Sequence, residues 1–429
     1  MPEVRVGPLL RHVGATDATV WVETDQACRV EVLGHHADTF EVEGHHFALV
    51  CVAGLEPSRE HPYAVHLDGQ KAWPPDDYDF PPPRIRLMPQ DGSLRLVFGS
   101  CRASAPHHPP YTHRHWWHPK GQGIDVLRAY GLRMREQPSA LWPDALMMLG
   151  DQLYADQVND TIKDLVAERE VHADGPVEVL EDFEEYCIGY WDAWRDPVVR
   201  WMLSTLPSSM MFDDHEINDK WNTSQAWLAE KRRTDWYQTR IIGGLMAYWI
   251  YQHLGYMSPD ELAEDTTFQR VQATRQGADA IRELALAAEK DDGTSHWTVR
   301  VPIGCLPETA NPLRTPVRLP AVIRPITPRA VDGVAVCLVA AQCLGGSLRL
   351  IFGCRGGTEM SDHLSVDGDG LAAAAVGSVD IAEALAAAGA VNSPAAGVQP
   401  SQAGERRAGL DTCACDPSSW QTGQRSAHR

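Results

Sequence analysis

The sequence is poor in features that mark membrane and nucleic-acid proteins. Its first thirty residues hold no apolar run as long as a secretory leader or a membrane span. Positive charge is also scarce, since 38 Lys and Arg stand against 58 Asp and Glu, a formal net charge of -20. Binding to nucleic acid or to anionic lipid depends on basic side chains that neutralise phosphates. We therefore expect a cytoplasmic protein with no nucleic-acid and no membrane partner.

The ten cysteines are not arranged in pairs. They form neither CxxC motifs nor a regular spacing. Disulfide frameworks are typical of small secreted domains that cannot build a sufficient core, whereas a chain of 429 residues can bury a large one. We therefore expect free thiols, as in a cytosolic protein.

The C-terminal part of the chain lacks residues that are common before it. All eleven tyrosines lie at or before Tyr256, the last lysine is Lys290, and six of the ten cysteines follow residue 298. Alanine runs such as 372–375 offer little for a core. We expect residues 299–429 to be an atypical tail, either poorly ordered or translated in an altered reading frame.

Residues 1–88 are predicted to form an antiparallel β-sandwich that serves as an accessory domain. Apolar and β-branched runs at 18–22, 29–32, 47–52 and 63–67 alternate with Gly, Pro and Asp turns, as short strands do. A proline-rich link at 73–83 then precedes the next region.

Residues 93–298 show the pattern of an α/β domain with long helical insertions. Its runs 94–98, 145–149 and 209–212 are short and nearly continuous in apolar residues, as expected for strands covered on both faces. Because ligands bind beyond the carboxyl ends of parallel strands, the residues that follow these runs are expected to converge.

Each of these strand ends carries side chains that can bind metal. A Gly-Asp pair after a strand is by itself often only a turn, and an isolated cysteine is more often a small buried hydrophobe. A thiolate, a phenolate and several carboxylates together suit a hard trivalent ion beside an oxygen-liganded divalent ion. The three ends are Gly99-Ser100-Cys101-Arg102, Gly150-Asp151-Gln152-Leu153-Tyr154-Ala155-Asp156 and Asp213-Asp214-His215-Glu216-Ile217-Asn218-Asp219.

These three motifs, in this order and spacing, resemble the PhoD-like (alkaline phosphatase D) branch of the metallophosphoesterases. The resemblance implies a metallophosphoesterase-type α/β sandwich and metal-dependent hydrolysis of phosphate monoesters or diesters. It implies that Cys101 and Tyr154 bind ferric iron, Fe3+, and that Asp151 bridges two metals. Asp214 would bind the second, divalent metal, taken to be Ca2+, and His215 would lie over the substrate phosphate.

General chemistry supports these roles. Two cations about 4 Å apart can clamp the oxygens of an in-line displacement and activate a water as hydroxide. His215 could protonate the leaving alkoxide, with Asp213 or Glu216 setting its orientation. Arg102 could offer a charged fork to a phosphate oxygen. Arg102, Asp156, Asp213, Glu216 and Asn218 remain open between these roles and ordinary surface or turn positions.

The chain departs from the family pattern at its C-terminal end. No Gly-Asp-x-His turn follows a later strand, and Asp362-His363 and Asp367-Gly368-Asp369-Gly370 are only nominal candidates. The predicted fold is therefore incomplete at the C-terminus, with an exposed apolar sheet edge. The alternative function is a catalytically inactive homologue that acts only as a binding protein.

Five histidines between His107 and His118 are not expected to bind metal. Prolines interrupt the regular spacing that would aim two imidazoles at one ion. We predict a partly exposed loop at the rim of the site instead.

Overall fold

The computed structural model describes residues 1–290 except 58, 90–93, 115, 168, 170–174, 177, 220 and 222–224, and five short strands beyond them. Two four-stranded sheets, ordered β1-β2-β6-β5 and β4-β3-β8-β9, form the N-terminal sandwich, and β7 pairs with β10. All described pairs here are antiparallel, which confirms the predicted class. The strands are β1 Val4–Val13, β2 Ala18–Thr24, β3 Arg29–Val32, β4 His35–Asp38, β5 Phe40–Val42, β6 His45–Val52, β7 His61–Pro62, β8 Val65–Leu67, β9 Gln70–Trp73 and β10 Arg84–Ile85.

Strand β2 is buried on both faces, which is unusual for a sandwich strand. Its Val20 and Val22 side chains pack inside the sandwich. Trp21 points the other way and belongs, with Phe47 of β6, to the core of the following domain. The ring of Trp21 lies 5.2 Å from that of Tyr251 in that domain. One apolar cluster therefore continues from the sandwich into the following domain, while a second lies within the sandwich.

A mixed α/β region follows, as predicted. Strands β11 Leu94–Gly99, β12 Ala145–Met148 and β13 Ser208–Met210 run parallel to each other. They fall on the three apolar runs of the sequence. The helices are α1 Val126–Arg135, α2 Asp160–Val166, α3 Phe183–Trp194, α4 Pro197–Thr205, α5 Gln225–Lys231, α6 Asp235–Tyr251, α7 Pro259–Glu264, α8 Thr266–Thr274 and α9 Ala278–Lys290. Of the described helices, none is both long and apolar enough to cross a membrane.

Beyond residue 297 the structure describes strands alone: β14 Thr298–Arg300, β15 Arg318–Pro320, β16 Val339–Leu344, β17 Ser347–Phe352 and β18 His363–Asp367. Strand β16 pairs antiparallel with β11, and β17 and β18 follow it outward. The edge of β11 is therefore paired, where the sequence predicted an exposed edge. The remaining expectations for residues 299–429 lie outside the described residues.

The register of these strands positions the backbone of Asp367, one of the nominal C-terminal candidates. Asp367 of β18 pairs with Ser347, which pairs with Leu344, next to the partner of Leu94. Asp367 therefore lies at the level of the amino-terminal end of β11, whereas Cys101 follows its carboxyl end. The order β11-β16-β17-β18 also separates it from β11 by about 14 Å, three strand spacings. The backbone of Asp367 therefore lies away from the turn that carries Cys101.

Candidate metal centre

The turns that follow β11 and β12 are joined through their backbones. The Cys101 N–H donates to the Gly150 carbonyl, and the Arg102 N–H donates to the Asp151 carbonyl, each at 3.2 Å. Cys101 and Asp151 have φ angles of +59° and +52°, a left-handed conformation that costs free energy for residues with a Cβ. Two such residues facing each other are typical of a functional turn held in place by its surroundings.

Gly150 is required by the turn itself. Its φ is +118°, and a Cβ at this position would lie 2.7 Å from the Asp213 Cβ. Only glycine allows the turn after β12 to approach the turn after β13 this closely.

The predicted ligands converge at these turns. Ligand atoms of Asp151, Asp214 and His215 all lie within 4.8 Å of one another. The Cys101 thiol lies in hydrogen-bonding contact with both Asp151 and Tyr154. The five principal residues predicted from the sequence therefore form one cluster, although their roles as ligands stay predictions.

The raised pKa values of the clustered side chains fit a site that binds a cation. Burial, together with the charge of Asp151, raises the pKa of Cys101 to about 12. Burial also raises the pKa of Asp151 and, with the nearby Asp151 charge, the pKa of Tyr154. Buried acids that repel each other retain their protons unless a cation compensates the charge. A thiol, a phenol and carboxylates are the donor set for a hard trivalent ion beside a divalent one, so these residues fit the implied metals.

His215 is oriented by Asp156, a residue whose role the sequence alone left open. Its Nδ1 lies 2.9 Å from Asp156 Oδ1, and its ring stacks on Tyr154 with centroids 4.4 Å apart. Burial alone would lower the pKa of His215, but the Asp156 hydrogen bond and charge outweigh it and raise the pKa to about 9. The expectation that Asp213 or Glu216 orients His215 is therefore wrong, because these two residues cap the turn with each other.

Glu216 lies beneath the cluster and is 1% exposed. Its carboxylate accepts backbone N–H groups from Asp151 at 3.2 Å, Gln152 at 2.8 Å and Asp213 at 2.9 Å. It also accepts from the Gln252 side chain at 3.1 Å. One buried carboxylate thus holds the turn after β12 against the turn after β13.

Arg102 is engaged inside the protein. Its guanidinium donates to Asp125 at 2.8 Å and to the Ala193 carbonyl at 2.6 Å, and the residue is 5% exposed. The phosphate fork expected of it stays a prediction. Asn218 closes a local turn, since its backbone N–H donates to Asp214 and its side chain donates to the Asp219 carbonyl.

A cavity of about 320 Å³ adjoins Arg102 and is lined largely by polar residues. On its wall, Asp192 accepts hydrogen bonds at 2.7 Å from both Ser104 and Asn159. Sequence reasoning missed Asp125, Asn159 and Asp192, because they come from separate segments and belong to no motif.

The described residues of the histidine-rich segment, 107–114 and 116–118, form turns and bends without regular secondary structure, as expected of a loop. Trp116 and Trp117 in it are 77% and 72% exposed. His107, at its start, lines the cavity and lies 3.3 Å from Asp196.

Comparisons with known proteins match two separate parts of the chain. Residues 1–85 match the family described as "Domain of unknown function (DUF7800)". A solved structure described as "Structure of PhoD" is similar with a TM-score of 0.38 and 15% identity, covering 58% of this chain and 46% of that chain. The chain thus spans less than half the length of that protein. No curated protein matches the chain.

Residues 116–272 match the family described as PhoD-like phosphatase. This range contains the turns after β12 and β13, with Asp151, Tyr154, Asp214 and His215, and begins after Cys101. The resemblance inferred from the motifs is confirmed: the chain contains a PhoD-like phosphatase domain.

Proposed function

We propose that this protein hydrolyses phosphate esters at a binuclear metal centre, acting on small monoesters or diesters. The PhoD-like phosphatase domain implies a hydrolase of this class. The observation that carries the proposal is the convergence of Asp151, Asp214 and His215 at the ends of parallel strands, with the Cys101 thiol against Asp151.

The donor atoms form two chemically different sets, one for each of two ions. Cys101 and Tyr154 offer a thiolate and a phenolate and would hold Fe3+, while Asp214 would hold a divalent ion, Ca2+. Asp151, between them, would bridge the two. When bound, the ions supply Lewis acidity that activates water and compensates the charge on the phosphoryl group.

His215 would supply the proton. With Nδ1 held by Asp156, only Nε2 remains to face a substrate. As hydroxide adds to phosphorus and the ester P–O bond breaks, the Nε2–H would pass its proton to the leaving alkoxide, and the proton that water loses to form the hydroxide would go to solvent. The raised pKa of His215 keeps that proton available at neutral pH.

The alternative is an inactive homologue that only binds ligands. It is favoured by one observation, since no Gly-Asp-x-His turn follows a strand in the described part of the chain. Bound metal and turnover separate the two functions, because an inactive homologue would show no turnover in either metal state.

The test is hydrolysis of an aryl phosphate and a bis-aryl phosphate by purified protein, before and after chelation. We expect turnover that chelation abolishes and metal restores. Cys101→Ala is expected to lower bound iron and turnover, whereas Cys51→Ala, which removes an exposed thiol of the sandwich, is expected to change neither. A Cys101→Ala protein with wild-type iron content would remove Cys101 from the ligand set.

A further inference from the structure

We infer that the N-terminal sandwich, a domain of unknown function, is a structural support of the metal centre. It acts through a continuous line of buried hydrogen bonds from Arg11 through Gln252 to Glu216. This inference rests on the proposed metal site. Arg11, Gln252 and Glu216 are positioning residues, since each acts on the ligands through another group.

The line begins at Arg11 of β1, which is 2% exposed. Its guanidinium leaves the sandwich and donates to the carbonyls of Tyr251 at 3.2 Å and Gln252 at 2.7 Å. These carbonyls lie where helix α6 ends and a short 3-10 helix, His253–Tyr256, begins. A charged donor thus fixes the end of α6 to the sandwich.

The sandwich holds the same helix end a second time. The Tyr251 hydroxyl donates to Glu23 of β2 at 2.6 Å. The Tyr251 ring also packs against Trp21 of β2 and Phe47 of β6, with centroids 5.2 and 5.6 Å away. Two strands of the sandwich therefore determine where the next residue, Gln252, points.

Gln252 connects the end of α6 to the turns after β12 and β13. It is fully buried, and its side-chain amide donates to Glu216 at 3.1 Å and to the Tyr190 hydroxyl at 2.9 Å. The Glu216 carboxylate in turn accepts the N–H groups that hold Asp151 and Asp213 in position. Groups that orient metal ligands in this way commonly change metal affinity 10- to 100-fold when removed.

Other contacts between the domains do not reach the turns and offer a control. His45 of β6 lies 2.7 Å from Glu184 of α3, and neither residue contacts Glu216 or the turns in any described hydrogen bond. A change there weakens the interface between the domains but leaves the line from Arg11 to Glu216 in place.

The experiment is titration of the metal-free full-length protein with Co2+ alone, followed by visible absorption, which reports affinity and ligand geometry. Gln252→Met keeps both backbone carbonyls for Arg11 but removes the donor to Glu216. We expect its Co2+ affinity to fall about tenfold, with an altered spectrum. Arg11→Met is expected to lower the Co2+ affinity and alter the spectrum in the same direction. Glu184→Gln is expected to leave the affinity and the spectrum unchanged.

Thermal unfolding of the metal-free variants separates positioning from stability. A Gln252→Met protein that is folded yet binds Co2+ as tightly as wild type would overturn the inference alone. Equal losses of Co2+ affinity in Gln252→Met and Glu184→Gln would also overturn it, because metal binding would then depend on the domain interface in general and not on this line of hydrogen bonds. A wild-type protein that binds no Co2+ would overturn both this inference and the proposed metal site.

Discussion

At the scale of single residues, Asp156 decides what His215 can do. It holds Nδ1, keeps the ring stacked on Tyr154, and leaves one nitrogen for chemistry. Asp156→Asn should therefore lower kcat by roughly 10- to 100-fold while changing KM little, because a misdirected acid weakens the transition state more than binding. Steady-state kinetics of the purified variant measures this. Wild-type kcat in Asp156→Asn would show that the contact has no catalytic role.

A second residue-scale prediction concerns His45, between Glu23 and Glu184 at 2.8 and 2.7 Å. Burial favours the neutral ring, but hydrogen bonds with Cys187, Glu184 and Glu23 raise the pKa from 6.5 to about 12. A pKa raised on folding stabilises the protein fully below pH 6.5, and this contribution declines as pH rises toward 12.

His45→Gln should therefore lower the free energy of unfolding most at acidic to neutral pH, by about 3 kcal/mol. The deficit should shrink in alkaline solution, where the wild type loses the same contribution. Urea denaturation of both proteins at about pH 6 and pH 9.5 measures it. A deficit that grows with pH would contradict the charged state of His45.

At the scale of elements, the turn after β12 is the most constrained segment of the site. Gly150→Ala should cost at least about 2 kcal/mol of stability and abolish metal binding, because the new Cβ adds a clash with Asp213 to an unfavourable φ. Gly44→Ala is the matched control, since its φ is +85° but no atom lies within 4 Å of the new Cβ. It should cost about 1 kcal/mol and leave metal binding intact. Equal losses of stability and of metal binding in the two variants would show that the positive φ, and not the clash with Asp213, causes the effect.

Local signals predicted some elements well and tertiary context decided others. The run Ser258-Pro259-Asp260-Glu261 predicts a helix start, and the structure has the full capping box there. The spacing of Ile241, Leu245 and Tyr248 predicts one apolar stripe on helix α6, yet the helix is buried all round from Arg240 to Tyr251. The helix packs against α3 and α9, and its end at Tyr251 meets Trp21 of β2 and Phe47 of β6. No local pattern in α6 encodes these partners.

For the site, too, local sequence predicted some residues and tertiary packing decided others. Ligands that directly follow strands could be located from sequence, because parallel strands bring their ends together. Asp156 as the partner of His215 and Gln252 as the partner of Glu216 could not, since each depends on how distant segments pack.

At the scale of the whole molecule, the two described domains contribute to one apolar cluster and are expected to unfold as one cooperative unit. Trp21 and Phe47 of the sandwich lie in the same apolar cluster as Tyr251 and Trp194 of the phosphatase domain. We therefore expect tryptophan fluorescence and far-ultraviolet circular dichroism to report one coincident unfolding transition. Two separated transitions would show that the sandwich folds by itself and would weaken the case for its supporting role.

The central claim is that the strand-end cluster binds metal and that hydrolysis depends on it. Asp151 is the most direct position to test, because it is 3% exposed and lies against both Cys101 and Asp214 in the cluster. The decisive measurement is metal content per chain, with aryl phosphate turnover, for wild type and Asp151→Asn. We expect about two metal ions per wild-type chain, with both metal and turnover lost in the variant. Turnover by a wild-type protein that carries no metal would contradict the account.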